Sequence, residues 1–528
     1  MTEQNHRSLI ISLDGATWTV LQPLVESGRL PTLADLVTSG IGKKLQSVIP
    51  PITSAAWFSF QTGTIPARHG VFTFSHVTND GRESTTVNAT TSGQPTLWEY
   101  LDEHGLSSIS VNLPGTYPAT ELPNRAVSGI FAPSYEDEAA VDPPEIRGFV
   151  KAVCDDYGIL TNPRDRHDPH TDQEEYIAAM AKNTRSRGAV TRRLMSEYDD
   201  WDVTMMHVQA TDVLQHPMWK YLDPEHPAYE ESMYDLVAGF YEVVDEIIGE
   251  VINQARDQAD ALDVYVISDH GFQGIETQAY MDRLLEEAGL LIRTESSLGD
   301  RLLSAALQLG LKADIFGLRS RFLSKDNRVS LGHTMNTGDV NWEQSVAWGH
   351  GNLYGYVYLL DESLKSDVMA AIEQYVGDGV VESVVDIEKV YDDVHSEAPD
   401  FVVVPAEEVS IDTSNESEGP IAEGIDYDSA FHIGSHEMDG ILIMDGSDVT
   451  GWSGARTPKL VDVMPTILHR HSVGIPEDLD GSPLVEAFEN NNEPTTIPSL
   501  DGRPVDGSIG HEVRDEVEVR LRNLGYRE

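Results

Sequence analysis

The stretch LIISLDG, at positions 9–15, combines a short apolar, β-branched run with an acidic residue at its end. Such a run is typical of a buried strand, which here ends at Leu13. Asp14 therefore lies at the carboxyl end of the predicted strand. Two helical patterns follow at residues 17–28 and 31–40, the second with proline in its first turn and glycine at its end.

The alternation of strand-like and helix-like segments continues along the chain. A long helical pattern at residues 229–261 separates two of the strands. This alternation predicts an α/β fold in which a mostly parallel central sheet is covered by helices on both faces. Further strands are predicted at residues 107–113, 203–208, 263–268, 354–360, 401–405 and 440–444, and a late helix at 459–469.

Composition limits the classes of protein to which the chain belongs. The 528 residues are 40% hydrophobic, which fits a folded globular chain, and carry a formal net charge of −52. So acidic a surface repels nucleic acid and anionic lipid, so neither is an expected partner. No apolar run suits a transmembrane helix, and the N-terminus lacks a signal-peptide pattern. The single cysteine, Cys154, excludes an intrachain disulfide and indicates a reducing cytoplasm.

The acidity is spread along the whole chain and indicates adaptation to salt. At low ionic strength such a surface repels itself, whereas at molar salt the screening length falls to about 3 Å. We therefore expect a salt-loving source with a saline cytoplasm, such as a halophilic archaeon. An ordinary acidic enzyme is the alternative.

Three segments break the alternating pattern. Residues 120–193 are rich in proline, aspartate and arginine, and residues 294–341 show short helices and loops, so both are predicted insertions that form a lid. Residues 486–528 are polar and acidic and are expected to form a loosely packed tail, with one short helix near residues 513–524. Residues 1–485, with the two insertions, are predicted to form one domain.

Acidic and histidine side chains follow several predicted strands at the points where the strands end. Because ligands in open α/β sheets bind beyond the carboxyl ends of the strands, these side chains are expected to converge. Each alone has an ordinary structural interpretation as a turn, cap or surface residue. Together they supply three carboxylates and three imidazoles: Asp14, Asp212, His216, Asp269, His270 and His436, the last in a Gly-Ser-His turn.

Mixed nitrogen and oxygen ligands suit two divalent metal ions, zinc first, with manganese or iron as alternatives. Each set of three leaves an open coordination position, and two ions about 3.5–4 Å apart can clamp both oxygens of a displacement at phosphorus. Three other histidines, His207, His350 and His432, lie near these segments and are not expected to be ligands. The six residues divide into two natural sets: Asp212, His216 and His436, and Asp14, Asp269 and His270.

A candidate nucleophile precedes a predicted helix. In the stretch PPITSAAW, residues 50–57, Thr53 occupies the position of a helix cap. A helix N-terminus also stabilises an anion and binds phosphate through its free N–H groups, and a cation beside the hydroxyl eases its ionisation. We therefore expect Thr53 to cap the helix, to attack phosphorus, or to do both.

These residues, in this order, resemble the alkaline phosphatase superfamily and, within it, the type I phosphodiesterase and nucleotide pyrophosphatase branch. The sequence is similar in particular to a prokaryotic group described as predicted phosphohydrolases or phosphomutases. The resemblance covers roughly residues 8–484, apart from the two insertions. The stretches that carry it are LDGA (13–16), IPPITSAAWFSFQTG (49–63), RHGVF (68–72), VNLPGTYP (111–118), TDVLQH (211–216), ISDHGF (267–272), GSH (434–436) and PEDLDGSPL (476–484).

The resemblance implies a metal-dependent hydrolase of phosphomonoesters or phosphodiesters, which acts on a small phosphorylated substrate through a phosphothreonine intermediate. On the family pattern, Thr53 is the nucleophile and joins Asp14, Asp269 and His270 on one metal ion. Sulfatases of the superfamily carry a Cys/Ser-x-Pro-x-Arg motif, which the corresponding stretch lacks, so sulfatase activity is not expected.

Ala56 departs from the pattern of nucleotide pyrophosphatases, which place an asparagine three residues after the nucleophile to hold a phosphate oxygen. Asn112, Thr116 or Tyr117 could supply the missing donor and contact the substrate, although this segment equally suits a structural turn. Nucleotide pyrophosphatase and phosphomutase are therefore alternative activities. A catalytically inactive metal- or phosphate-binding protein is the alternative from another class.

Overall fold

The computed structural model of the chain describes residues 6–77, 84–159, 169–293, 340–391, 394–414, 419–428, 430–452, 454–489 and 492–503. The predicted insertion at 294–341 lies almost wholly outside these residues, as does the helix predicted near 513–524. No described helix combines the length and the apolar character that crossing a bilayer requires.

Strands and helices alternate in the first half of the chain, and strands predominate in the second half. In chain order the strands are β1 (His6–Leu13), β2 (Ile41–Gln46), β3 (Ser75–Val77), β4 (Ser84–Thr86), β5 (Ser108–Val111), β6 (Arg125–Val127), β7 (Val141–Asp142), β8 (Val203–Val208), β9 (Ala261–Ile267), β10 (Gly271–Gly274), β11 (Thr277–Tyr280), β12 (Ala347–Asn352), β13 (Tyr354–Leu359), β14 (Val381–Asp386), β15 (Phe401–Pro405), β16 (Val409–Asp412), β17 (Ala422–Gly424), β18 (Gly434–Glu437), β19 (Asp439–Asp445), β20 (Ile475–Pro476) and β21 (Thr496–Ile497). The α-helices are α1 (Trp18–Glu26), α2 (Pro31–Ser39), α3 (Thr53–Thr62), α4 (Pro66–His69), α5 (Leu97–Glu103), α6 (Ile146–Val153), α7 (Gln173–Glu197), α8 (Ala210–Leu222), α9 (Tyr234–Gln258), α10 (Met281–Glu287), α11 (Lys365–Ile372), α12 (Ile387–Val390) and α13 (Val463–Arg470).

The central sheet contains eight strands in the order β2-β19-β9-β1-β8-β5-β6-β7. Five consecutive strands of the sheet pair in parallel: β9, β1, β8, β5 and β6. The pairs β2–β19, β19–β9 and β6–β7 are antiparallel. Helices connect the parallel strands, as parallel pairing requires. The structure thus confirms the predicted α/β fold with a mostly parallel sheet.

Both faces of the central sheet are covered, because successive side chains of a strand point to opposite faces. In β1, Leu9 and Ile11 pack into one apolar cluster with α2, α7, α8 and α9, whereas Ile10 packs into a second cluster with α3, α5 and α13. This explains why β1 has a continuous apolar run instead of an alternating one.

Two predicted strands form part of a separate antiparallel sheet. β13 and β15 lie in the order β12-β13-β15-β14, so the prediction that they continue the parallel alternation is wrong. Only Leu353, with φ of 63°, lies between β12 and β13. Because the chain reverses within one residue, the two strands form an antiparallel hairpin.

Part of the segment predicted as an insertion at 120–193 belongs to the core. β6 and β7 extend the central sheet. α7 packs so closely on α9 that a Cβ at Gly188 would lie 2.3 Å from Ile247 Cγ2. Strands of three and two residues are too short to show a pattern in sequence. The described part of the tail also packs on the domain, through the pair β20–β21 and the buried side chain of Phe488.

Candidate metal centre

Three neighbouring parallel strands bring acidic side chains to one edge of the central sheet. β1 lies between β8 and β9, and the chain leaves it at Asp14. β9 ends two residues before Asp269. α8 begins shortly after β8 and carries Asp212 in its first turn. The three carboxylates therefore come from the same ends of three adjacent strands, where open α/β sheets bind ligands.

The six predicted ligands form two groups, and the ligand atoms within each group lie within 4.8 Å of one another. In the first group, His270 Nε2 lies 3.5 Å from Asp14 Oδ1 and 3.2 Å from Asp269 Oδ2. All six side chains are buried, with at most 2% of their surface exposed. The first group is Asp14, Asp269 and His270, and the second group is Asp212, His216 and His436.

The second group combines a helix with a two-stranded ribbon. Asp212 and His216 stand one turn apart on α8 and share a face, with Asp212 Oδ1 3.4 Å from His216 Nε2. His436 Nε2 lies 3.2 Å from the same oxygen. His436 belongs to β18, which pairs antiparallel with β10, so the predicted Gly-Ser-His turn is a strand in the structure.

The two groups lie side by side. The rings of His270 and His436, one from each group, stack with centroids 3.6 Å apart and an angle of 18° between their planes. Gly15 lies between the two groups. Its N–H donates to Asp269 Oδ1 of the first group, and a Cβ at this position would lie 3.1 Å from Asp212 Oδ1 of the second group. The arrangement can therefore hold two neighbouring cations.

Backbone carbonyls fix the orientation of all three imidazoles. The Nδ1 atoms of His216, His270 and His436 each lie 2.9 Å from a carbonyl oxygen, so Nδ1–H donates and Nε2 is left as the ligand atom. Hydrogen bonds of this kind are the usual second shell of histidines that bind metal ions. The accepting carbonyls belong to Gly434, Gly271 and Pro51.

The electrostatics of the buried acids favour binding of a positive charge. Burial, followed by repulsion from neighbouring carboxylates, raises the pKa of Asp14 and of Asp269 well above its ordinary value. Burial also raises the pKa of Asp212, but the nearby His216 and His436 outweigh it and hold that pKa well below its ordinary value. Within the described residues, Asp269 Oδ2 and His436 Nε2 are buried and make no hydrogen bond. The donor set and these buried atoms fit divalent metal ions.

Thr53 faces the first group. It is the first residue of α3, after the N-cap residue Ile52, and no side chain caps this helix. The expectation that Thr53 caps the helix is therefore wrong. Instead, Thr53 Oγ1 lies 3.5 Å from Asp14 Oδ1 and 3.4 Å from His270 Nε2. The hydroxyl thus lies at a helix N-terminus and beside the candidate ligands.

Residues 8–439 match the family model described as type I phosphodiesterase / nucleotide pyrophosphatase. The chain belongs to this family. It is accordingly a phosphoric ester hydrolase of the alkaline phosphatase superfamily. A search of curated proteins found no match to the sequence.

Solved structures share the fold of this phosphodiesterase family member. Phosphonoacetate hydrolase from Sinorhizobium meliloti 1021, in complex with phosphonoacetate, is 16% identical, with a TM-score of 0.56 over 87% of this chain and 94% of that chain. Its complex with phosphonoformate gives 15% identity and a TM-score of 0.55 over the same shares. Human ectonucleotide pyrophosphatase / phosphodiesterase 5 is 12% identical, with a TM-score of 0.49 over 88% and 95% of the two chains. At 15–16% identity, the similarity to the phosphonoacetate hydrolase shows the fold.

The three candidate substrate-binding residues make hydrogen bonds within the protein. Both polar atoms of the Asn112 amide are engaged, one by the Tyr157 hydroxyl and the other by the carbonyl of Ile159. The hydroxyls of Thr116 and Tyr117 also donate to neighbouring acceptors. A role for these three residues in binding substrate stays a prediction.

One histidine that was not expected to be a ligand contacts the candidate site. His207 Nε2, in β8, lies 3.2 Å from Asp14 Oδ2, and Trp57 Nε1 donates to the same oxygen at 3.5 Å. His432 also approaches the site, since its ring stacks on His216 at 4.4 Å. A histidine inside an apolar strand has no distinguishing pattern in sequence. Only the pairing of β1 with β8 reveals the contact of His207.

Proposed function

We propose that the enzyme hydrolyses small phosphate esters, monoesters or diesters, through a covalent phosphothreonine at Thr53. The observation that carries the proposal is the position of the Thr53 hydroxyl, 3.5 Å from Asp14 Oδ1 and 3.4 Å from His270 Nε2. A buried threonine that caps no helix and faces metal ligands has the surroundings of an activated nucleophile.

The first and second groups are each proposed to hold one divalent cation. Three ligands of mixed nitrogen and oxygen type, fully buried and with an open position, favour zinc, with manganese or iron as alternatives. Such cations supply Lewis acidity, which lowers the pKa of a neighbouring hydroxyl and neutralises charge on phosphate oxygens. The three imidazoles are already oriented by carbonyls, so the protein contributes a preformed site.

Thr53 Oγ1 attacks phosphorus while the bond from phosphorus to the ester oxygen breaks, and the proton that Oγ1 gives up ends on that oxygen, which leaves as the alcohol. The first turn of α3 offers N–H groups without intrahelical partners, which suit the phosphate oxygens. Water then cleaves the Thr53–phosphate bond, releases phosphate or a phosphomonoester, and restores the hydroxyl. The reaction takes place, on this proposal, in a saline cytoplasm.

Thr53→Ala tests the proposal, with Thr53→Ser as the matched control. The alanine variant is expected to lose about a thousandfold or more of its turnover of an aryl phosphate, because no hydroxyl remains to form the ester. The serine variant retains the nucleophile and part of the activity. Both variants should bind the same number of metal ions as the wild type in elemental analysis.

Survival of aryl phosphate hydrolysis in Thr53→Ala would contradict the assignment of the nucleophile. A second measurement is the mass of the peptide that contains Thr53 after acid quenching during turnover, which should include a phosphorylated form. A phosphomutase would instead return the phosphoryl group to its substrate. An assay of sugar phosphates for isomerised product and for free phosphate therefore separates the two activities.

A further inference from the structure

The two oxygens of Asp14 have different partners. Oδ1 lies toward Thr53 Oγ1 and His270 Nε2, at 3.5 Å from each. Oδ2 lies on the other side, 3.2 Å from His207 Nε2 and 3.5 Å from Trp57 Nε1. The carboxylate therefore joins the candidate metal centre to two buried rings that are not ligands.

The ring of His207 is itself held in place. Its Nδ1 lies 3.0 Å from Ser12 Oγ, on the neighbouring strand β1, and its ring meets Trp57 edge to face at 5.2 Å. The carbonyl of His207 accepts from Arg187 Nη1 at 3.0 Å. His207 is only 1% exposed, so solvent contributes little to its position.

Ser12 Oγ has two partners within reach, His207 Nδ1 at 3.0 Å and the carbonyl of Met206 at 3.3 Å. A serine hydroxyl has one proton, and when Ser12 donates it to Nδ1 the imidazole carries its own proton on Nε2. Nε2 then carries its proton 3.2 Å from Asp14 Oδ2, a close polar contact.

We propose that His207 is a positioning residue, which holds Asp14 Oδ2 so that Oδ1 faces the cation of the first group and Thr53. The proposal rests on the function proposed above for the first group. Partners of this kind in the second shell of metal sites change metal affinity by about 10–100-fold when they are removed.

Two substitutions separate the hydrogen bond from the volume of the ring. His207→Leu fills the space without a donor, whereas the amide of His207→Gln can place an N–H near the position of Nε2. We expect His207→Leu to lose about 10–100-fold in affinity for one of two bound Zn²⁺ or Co²⁺ ions. His207→Gln should restore most of that affinity, and the absorption spectrum of Co²⁺ at the first group should change only in the leucine variant.

Thr204→Val is the control for disturbance of β8, because Thr204 is fully buried on the same strand and the substitution conserves its shape. It should bind both ions as the wild type does. Equal metal affinity of His207→Leu and the wild type would overturn the proposal, as would equal losses in the leucine and glutamine variants.

If His207→Leu does not fold, Trp57→Phe gives an independent measurement, since it removes the other donor to Asp14 Oδ2 and should weaken the same ion. An unchanged affinity in Trp57→Phe would then leave Asp14 independent of its buried partners and refute the inference. All affinities are measured in the Thr53→Ala background as well, so that a failure of the proposed reaction does not affect them.

Discussion

At the scale of single residues, Gly15 is a tightly constrained position of the candidate metal centre. Its φ of +62° lies in the left-handed region, and a Cβ would lie 3.1 Å from Asp212 Oδ1 and 3.2 Å from Phe272 Cδ2. Its N–H donates to Asp269 Oδ1, and its carbonyl accepts from Gln215 Nε2. A side chain at this position would therefore disturb both ligand groups at once.

Gly15→Ala is expected to lower the free energy of unfolding by about 1–2 kcal/mol from backbone strain alone. In addition, the new methyl group displaces Asp212, so metal affinity of the second group should fall. Chemical denaturation measures the first effect, and titration with Zn²⁺ measures the second.

Gly28→Ala separates the two effects, because Gly28 has a similar φ of +77° but nothing within 4 Å of the added Cβ. This variant should lose the same strain energy and bind both ions normally. Normal metal binding by Gly15→Ala would show that the site absorbs the methyl group, contrary to the prediction.

The sequence predicts a site residue only where the residues before it in the chain form a recognisable pattern. Asp14 and Asp269 are recognisable because each directly follows an apolar strand. The role of His207 depends on strand register, and the position of Thr53 depends on where α3 begins, to within one residue. Neither is encoded in local composition.

At the scale of elements, the end of the sheet opposite the metal centre is held by a buried ion pair. Asp263, near the start of β9, accepts from Arg470 of α13 at 2.6 and 3.3 Å. His6, at the start of β1, adds a contact of 3.0 Å to the same carboxylate. The side chains of Asp263 and Arg470 are 3% and 13% exposed. The pair ties α13 to the strands that carry the first group at their other ends.

Asp263→Asn is expected to lower the free energy of unfolding by about 3 kcal/mol, because Arg470 loses a buried charged partner. Burial raises the pKa of Asp263, but His6 and Arg470 outweigh it and leave that pKa below its ordinary value of 3.8. The stability that the carboxylate contributes is therefore complete above about pH 4 and is lost as the pH falls through the lowered pKa. Denaturation of both proteins between pH 3 and 7 measures the difference.

Asp200→Asn is the control, because Asp200 also pairs with an arginine, Arg125, through two bonds, but is 60% exposed. Its loss should cost less than about 1 kcal/mol. Equal effects of the two substitutions would show that burial of the Asp263 pair adds nothing to stability.

The elements themselves were largely predictable where the chain is periodic. β1, β8 and β9 fall within two residues of the predicted boundaries, because each is a mostly apolar run. β6 and β7 are too short to show a pattern, and the hairpin of β12 and β13 turns at a leucine instead of at a glycine or asparagine. Tertiary packing, rather than local sequence, decides these parts of the fold.

At the scale of the whole molecule, the dominant property is unpaired negative charge. The chain has 88 acidic and 36 basic residues, so most carboxylates have no basic side chain with which to pair. Several of the described arginines and lysines pair in surface bridges, which contribute little individually. The remaining repulsion acts against the compact state until salt screens it.

We expect the melting temperature to be higher in about 2 M potassium chloride than in about 20 mM, since the screening length is near 3 Å at molar salt. Sorbitol at the same osmolality is the control, because it excludes itself from the surface without screening charge. Equal melting temperatures at both salt concentrations, or an equal rise in sorbitol, would refute the interpretation of the charge as an adaptation to salt.

The order of the ligands along the chain has a consequence for biosynthesis. The first group is complete once the ribosome has made His270, whereas the second waits for His436, on a ribbon strand whose partner was made long before. On the proposed assignment, a nascent chain would therefore hold every side chain of the first group while nearly half of the polypeptide is still untranslated. The ring of His270 would then already belong to the surface on which His436 stacks.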